Sequence, residues 1–143
     1  MRKKAISLLM TLILLTVSGV PVCAMETGGK AGPNSQFQIM LVNVDDAEAY
    51  LNFSGDRAEC SSVIDGKSGT SKITANAYLK RVKGNTKTVV KSWTGLSASG
   101  ESFYFNKSYY VSSGYTYEFE INAHVYRNGQ VENISVTDSD YCG

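Results

Sequence analysis

Apolar side chains recur at every second position along most of the chain, which is the spacing of a β-strand with one buried face. The longest such series lies between residues 115 and 125, where polar side chains fill the intervening positions. Its apolar members are Tyr115, Tyr117, Phe119, Ile121, Ala123 and Val125. We expect this series to form one half of a hydrophobic core rather than a working surface.

Shorter alternating segments predict six more strands, separated by turn-forming residues. The sequences KGNT at 83–86 and RNGQ at 127–130 predict tight hairpins, whereas residues 94–101 predict a loop. The apolar run from Phe37 to Val44 fits either an extra edge strand or the lead into the first strand. The predicted strands cover 47–53, 58–64, 73–80, 87–93, 103–111, 115–126 and 131–136. This pattern predicts an all-β, seven-stranded antiparallel sandwich.

The start of the chain has the pattern of an export signal. Arg2, Lys3 and Lys4 precede an apolar run, and Val22 and Ala24 have the spacing that a signal peptidase reads. Residues 1–24 therefore predict a cleaved signal peptide, 25–36 a flexible linker and 37–143 the sandwich domain. A retained membrane anchor and a lipidated Cys23 are the alternatives, and both fit the pattern less well.

The length and net charge of the chain without residues 1–24 indicate how many domains it forms and which partners it can bind. Removing residues 1–24 leaves 119 residues, enough for one domain, with 11 basic against 13 acidic side chains and a formal charge of −2. Because lysine and glutamate are interspersed, the sequence has no basic stripe to hold phosphates, and we expect no nucleic-acid partner. We also expect no cofactor, and no membrane contact after cleavage of the signal.

Cys60 and Cys142 are the two cysteines that remain after cleavage. Paired cysteines in an exported chain most simply form a disulfide, and this one would join the second strand to the last residues. Two free thiols or a redox pair are the alternatives, although no Cys-x-x-Cys sequence occurs.

Other candidate chemistry is sparse. His124 is the only histidine and lies opposite the apolar series, with no motif that would supply a nucleophile and an orienting carboxylate. The acidic residues at 45, 46 and 48 and at 138 and 140 could meet around a calcium ion if the first and last strands are close, but solvated loop ends explain them as well. We therefore expect no enzyme activity.

Three tyrosines fall out of phase with the apolar series, namely Tyr50, Tyr78 and Tyr126. If they shared one sheet face, they would make a flat platform able to stack on a sugar or to contact a partner protein. High strand propensity is the competing explanation for tyrosine at these positions. The three residues are the candidate binding face.

The sequence GYTY at 114–117 resembles the tyrosine corner of immunoglobulin-like sandwiches, where a tyrosine hydroxyl bonds back to the main chain. The ordered pieces SKITANAYLKR, VVKSW and KSYYVSSGYTYEF, within 56–137, also resemble small exported proteins of Gram-positive bacteria that have an immunoglobulin-like fold and no assigned activity. This resemblance implies an exported immunoglobulin-like sandwich and transfers no catalytic residue.

The expected function is that of a secreted, non-enzymatic binding module, extracellular or associated with the cell wall. Its partner would be a cell-wall glycan or an unknown protein. The alternative is a secreted effector or antimicrobial-type protein that acts on other cells, although the sequence has no cationic amphipathic segment to attack membranes.

Overall fold

The alternating pattern forms seven antiparallel strands in the computed structural model, which describes residues 41–143. The predicted signal peptide, the predicted linker and Phe37–Met40 lie outside the described residues. Leu41–Asn43 lead into the first strand and are not an extra strand themselves. The strands are β1 (Val44–Ser54), β2 (Arg57–Gly66), β3 (Thr70–Lys83), β4 (Thr86–Ser99), β5 (Ser102–Tyr110), β6 (Tyr115–Arg127) and β7 (Gln130–Cys142).

The strands form two sheets packed face to face, which confirms the predicted seven-stranded sandwich. The smaller sheet has the order β1-β2-β5, and the larger sheet has the order β4-β3-β6-β7. In constant-type immunoglobulin domains the fourth strand belongs with the first, second and fifth. Here β4 pairs with β3 over almost its whole length, so it extends the larger sheet instead.

The core is built around β6, a central strand of the larger sheet. Five alternating side chains of β6 are at most 1% exposed: Tyr117, Phe119, Ile121, Ala123 and Val125. Phe119 stacks on Phe105 of the smaller sheet with ring centroids 5.6 Å apart, and Trp93 of β4 meets Phe105 edge-on at 5.4 Å. The predicted core series is therefore confirmed at five of its six positions.

Tyr115 is the exception, because it is the first residue of β6 and lies at the end of the sandwich with 37% of its surface exposed. The predicted tyrosine corner is present two residues later. Tyr117 is buried against Phe53 and donates its hydroxyl proton to the carbonyl oxygen of Ser112 at 2.8 Å. This bond fixes the path of the chain between β5 and β6.

Two boundaries differ from the sequence prediction. Residues 94–99 were expected in a loop but continue β4, because residues 96–99 pair with Lys72–Ala75 of β3 beyond a bulge at 94 and 95. The glycine that suggested a loop, Gly95, has a φ of +70° in a bulge, where the Asn76 side chain accepts its backbone N–H at 3.0 Å. The last strand also runs to Cys142, well beyond the predicted end at residue 136.

One side of the sandwich is closed by carboxylates of β7 that bind backbone N–H groups at the edge of β1. Both oxygens of Glu132 accept N–H groups of Val42 and Asn43. Asp138 accepts the N–H of Leu51 at 2.8 Å with one oxygen and that of Ser139 at 2.8 Å with the other. These bonds satisfy donors that an edge strand would otherwise offer to another chain.

On the opposite side of the sandwich, between β4 and β5, lysines occupy inward positions on the two edge strands. Lys91 pairs with the buried Leu79 and therefore lies on the inward side of β4, where its ammonium group is 5.9 Å from the Trp93 ring and 5.5 Å from the Tyr109 ring. Lys107 occupies an inward position on β5, opposite Cys60. Inward-pointing charges on edge strands oppose pairing with a second sheet, because the pairing would bury them.

Replacing Tyr117 with phenylalanine tests the tyrosine corner. The ring contact with Phe53 is kept, whereas the hydroxyl bond to Ser112 is lost, so we expect the free energy of unfolding to fall by about 1 kcal/mol. Urea denaturation followed by tryptophan fluorescence measures this change. Tyr141→Phe, at a position that is 59% exposed, is the control, and equal stability of the two variants would contradict a stabilising corner.

Candidate functional site

The three candidate tyrosines do not share a face. Tyr50 lies on β1 in the smaller sheet, whereas Tyr78 and Tyr126 lie on the larger sheet. Tyr126 pairs with Lys72, six residues from Tyr78 along β3, so the two rings are about 20 Å apart at the rise of a strand. The predicted platform is therefore not formed, because Tyr50 belongs to the other sheet and the register of β3 and β6 separates Tyr78 from Tyr126.

Each of these tyrosines is also engaged locally. The Tyr50 hydroxyl donates to the Glu48 carboxylate, and this bond, with burial and the charges of Glu48, Asp46 and Asp138, raises the pKa of Tyr50. The Lys72 ammonium group lies 4.4 Å from the centroid of the Tyr126 ring. Tyr78 is half-buried opposite Glu120.

The outer face of the smaller sheet carries a concavity of about 310 Å³ that we call the polar trough. All of its lining side chains occupy outward positions, opposite in phase to the buried series of their strands. The register brings them together in cross-strand rows, with Glu59 between Asn52 and Ser108, and Ser61 beside Asn106. The lining residues are Asn52, Arg57, Glu59, Ser61, Asn106 and Ser108.

The polar trough is uncharged overall and rich in free hydrogen-bonding groups. Arg57 and Glu59 form an ion pair with each other, and their side chains are 44% and 46% exposed. Within residues 41–143, the side chains of the other four lining residues make no hydrogen bond to protein. An amide or hydroxyl group in this state is available to a ligand.

Exposed tyrosines border the polar trough along β5. Tyr104 is 71% exposed and Tyr110 is 68% exposed, and both have the outward phase of Asn106 and Ser108. Tyr110 pairs with Arg57, and Tyr104 pairs with Val63, so along β5 one ring lies beyond each end of the lining pair Asn106 and Ser108. The smaller sheet thus presents polar groups between two projecting aromatic rings.

Sequence reasoning missed the residues that line this site, although the predicted Tyr50 lies beside it, opposite Ser61. The outward phase of Arg57, Glu59 and Ser61 on β2 and of Asn106 and Ser108 on β5 is readable in the alternation. The order β1-β2-β5 is not, because β2 and β5 are separated by two strands of the other sheet. Tyr104 and Tyr110 lie in the predicted strand 103–111, and the sequence alone does not place that strand beside β2.

The remaining candidate site residues are exposed to solvent or take part in hydrogen bonds within the fold. His124 is exposed and its Nδ1 is hydrogen-bonded to Asn133. Asp138 does lie near β1, as the calcium hypothesis requires, but its carboxylate binds backbone N–H groups. Within residues 41–143, no group of three or more histidine, cysteine, aspartate or glutamate side chains is arranged to hold a metal ion.

A half-buried ion cluster lies on the outer face of the larger sheet. Lys80 donates to Glu120 at 2.7 Å, and Lys87 donates to Glu118 at 2.5 Å. Burial alone would raise the pKa of Glu120, but hydrogen bonds from Lys80 and Asn122 and the nearby positive charges outweigh it, so the pKa is lowered. One oxygen of Glu118 is buried without a hydrogen bond and has Lys80 3.8 Å away.

The predicted disulfide is absent from the structure, in which Cys60 and Cys142 are buried free thiols. The Cys142 thiol donates to the carbonyl oxygen of Gly55, in the turn between β1 and β2, at 3.6 Å. Cys60 is three residues inside β2 from Arg57, or about 10 Å of strand away from that turn. The two cysteines thus lie at different levels of the sandwich. Burial raises the pKa of the Cys60 thiol to about 12.

Among the described residues, no helix is long and apolar enough to cross a membrane.

Comparisons with known proteins find few similarities. No protein-family model matches the chain, and no curated protein sequence matches it. The solution structure of R. palustris CsgH is similar with a TM-score of 0.42 and 11% sequence identity, over 64% of this chain and 88% of that one. The crystal structure of Spo0M, a sporulation control protein from Bacillus subtilis, has a TM-score of 0.41 and 15% identity, over 70% of this chain and 48% of that one. Neither similarity bears on function.

Alkylation tests the state of the cysteines in a chain that begins at Met25. The thiolate is the reactive form, and at pH 8 a thiol with a pKa of about 12 is ionised to roughly one part in ten thousand. We expect Cys60 to resist iodoacetamide in the native protein, and both cysteines to react after unfolding without reductant. Intact mass counts the adducts. Adducts that form only after a reductant is added would show a disulfide.

The ion cluster predicts a defined pH dependence for Glu120→Gln. Because the folded-state pKa of Glu120 is lowered, its carboxylate stabilises the fold above the ordinary pKa of 4.5, and this contribution is lost as the pH falls through the folded-state value. At pH 7 the variant should lose up to about 1 kcal/mol of unfolding free energy. The loss should shrink below pH 4.5 in denaturation series from pH 7 to pH 3.

Glu59→Gln is the control for this experiment, since Glu59 belongs to an exposed ion pair on the other sheet. A loss for Glu120→Gln that is the same at every pH would contradict the assigned role of its charge.

Proposed function

We propose that the chain is an exported, non-enzymatic binding module whose polar trough contacts a neutral glycan of the cell envelope. The observation that carries this proposal is the trough itself, in which side chains of three strands converge and four have hydrogen-bonding capacity unused within residues 41–143. Such groups stay solvated in the free protein, so a ligand can replace their water without breaking bonds inside the fold.

The charge of the trough favours a neutral ligand. Arg57 and Glu59 compensate each other, which leaves neither the basic surface that would attract phosphates nor the acidic surface that would attract a cation. Amide and hydroxyl groups pair with the donors and acceptors of a sugar, and the rings of Tyr104 and Tyr110 offer apolar faces to its C–H groups. A polyhydroxylated ligand satisfies both sets of groups.

The non-enzymatic part of the proposal is supported by the surroundings of His124. This residue is the only histidine, and its recorded hydrogen bond is to an amide oxygen of Asn133. A base that activates a nucleophile needs that nucleophile within hydrogen-bond reach and a third group to orient it. The recorded contacts of His124 supply neither.

Export rests on the sequence. The basic, apolar and small residues of 1–24 have the order of a cleaved secretory signal. The resemblance of residues 56–137 to small exported proteins of Gram-positive bacteria supports the same location. We therefore place the mature module outside the cell, secreted or associated with the wall.

A sedimentation assay with purified, insoluble cell wall tests the proposed function on the chain from Met25 onward. Asn106→Ala removes an amide from the trough, and each lost hydrogen bond is worth about 0.5–1.5 kcal/mol. We expect wall binding to weaken roughly three- to tenfold.

Asn133→Ala is the matched control, since Asn133 is an exposed strand asparagine on the other sheet. Wild-type protein that fails to sediment with the wall would overturn the proposed function. Equal weakening by the two variants would show that binding does not involve the trough.

A further inference from the structure

We infer that the polar trough takes a linear oligosaccharide of about five hexose units that lies along β5, with one sugar ring against Tyr104 and another against Tyr110. This inference rests on the proposed function and adds the length and direction of the ligand. Its basis is the placement of the two tyrosines on either side of the trough.

The register of β2 and β5 sets the length. Tyr104 pairs with Val63 and Tyr110 pairs with Arg57, so the two tyrosines are six residues apart on the same side of one strand. At about 3.3 Å per residue this separation is about 20 Å, and a hexose unit of an extended chain is about as long as one and a half strand residues. The distance between the rings therefore corresponds to roughly four steps from one sugar to the next, so a chain with a sugar against each ring has about five units.

The two rings have the exposure expected of ligand contacts rather than of packing. Tyr109, on the inward side of the same strand, contacts the Lys91 ammonium group and is 37% exposed, about half the exposure of its outward neighbours. Within residues 41–143, neither Tyr104 nor Tyr110 stacks on another ring or on a cation. Two unpartnered rings on one edge strand leave apolar area for a ligand.

The groups between the rings suit a chain of hydroxyls. Asn106 and Ser108 follow each other at every second residue along β5, and Ser61 lies beside Asn106 on β2. Lys107, between Asn106 and Ser108 in sequence, has the inward phase and leaves the outer face uncharged there. A neutral linear sugar can thus contact polar side chains along its length and an aromatic ring at each end.

The two ends of this path also differ, which gives the ligand a direction. The ring of Tyr110 lies opposite the Arg57–Glu59 ion pair, whereas the ring of Tyr104 lies opposite the apolar Val63. The reducing and the non-reducing end of a sugar chain carry different hydroxyl groups. The two ends of the path therefore offer different contacts to each end of the sugar chain.

Calorimetric titration of the chain from Met25 onward with β-1,4-linked oligomers of glucose and of N-acetylglucosamine, one to six units long, tests the inference. We expect affinity to rise with each unit up to about five and then to level off. Tyr104→Thr or Tyr110→Thr should weaken the binding of the pentamer about tenfold. The double variant should bind the pentamer no better than the trimer.

Threonine keeps the strand propensity of these positions, and the unfolding midpoint of each variant checks that the fold is kept. Tyr141→Thr, on the larger sheet and 59% exposed, is the control and should bind the pentamer like the wild type. Affinity that levels off at one or two units, or wall binding without binding of any oligomer, would overturn this inference and leave the proposed function standing. Absence of binding to both the wall and the oligomers would overturn the proposed function itself.

Discussion

The structure depends on the burial of one face of β6. Five alternating side chains of this strand are almost completely removed from water, and the two largest meet aromatic rings of the smaller sheet. At about 1.5–3 kcal/mol for each large apolar side chain, this face is a main term opposing the conformational entropy of the chain. Because side chains alternate across a strand, the same burial obliges Glu118, Glu120 and His124 to lie on the outer surface.

A sandwich leaves four edge strands, and each pair of facing edges is closed by a different interaction. Between β1 and β7, Glu132 and Asp138 bind backbone N–H groups of the neighbouring segment. Between β4 and β5, Lys91 lies near Trp93 and Tyr109. Carboxylates thus accept hydrogen bonds from backbone N–H groups between β1 and β7. Between β4 and β5, the Lys91 ammonium group lies close to two aromatic rings. The edges are protected, which leaves the two outer faces for contacts with other molecules.

The alternation of residues was enough to predict the strands, the sandwich and the inward positions of β6, because a period of two is a property of one strand at a time. It was not enough for features that depend on which strands are neighbours. Tyr50, Tyr78 and Tyr126 have suitable phases but lie on different sheets or far apart. The glycine and serines of 94–99 suggested a loop, and pairing with β3 overrode their local preference. Cys60 and Cys142 illustrate the same limit, since their spacing in sequence says nothing of their levels in the sandwich.

The trough asparagines have a consequence for how the protein is produced. Asn52 and Asn106 each begin an Asn-x-Ser tripeptide and lie exposed on the outer face of the smaller sheet. A eukaryotic secretory pathway attaches N-linked glycans to such sites, and a branched glycan is bulkier than the whole concavity. Material secreted from a eukaryotic host would therefore carry its own sugars over the trough, while its core, which is formed by the opposite faces of the same strands, would be unchanged. A bacterial host leaves the two asparagines unmodified and the outer face free.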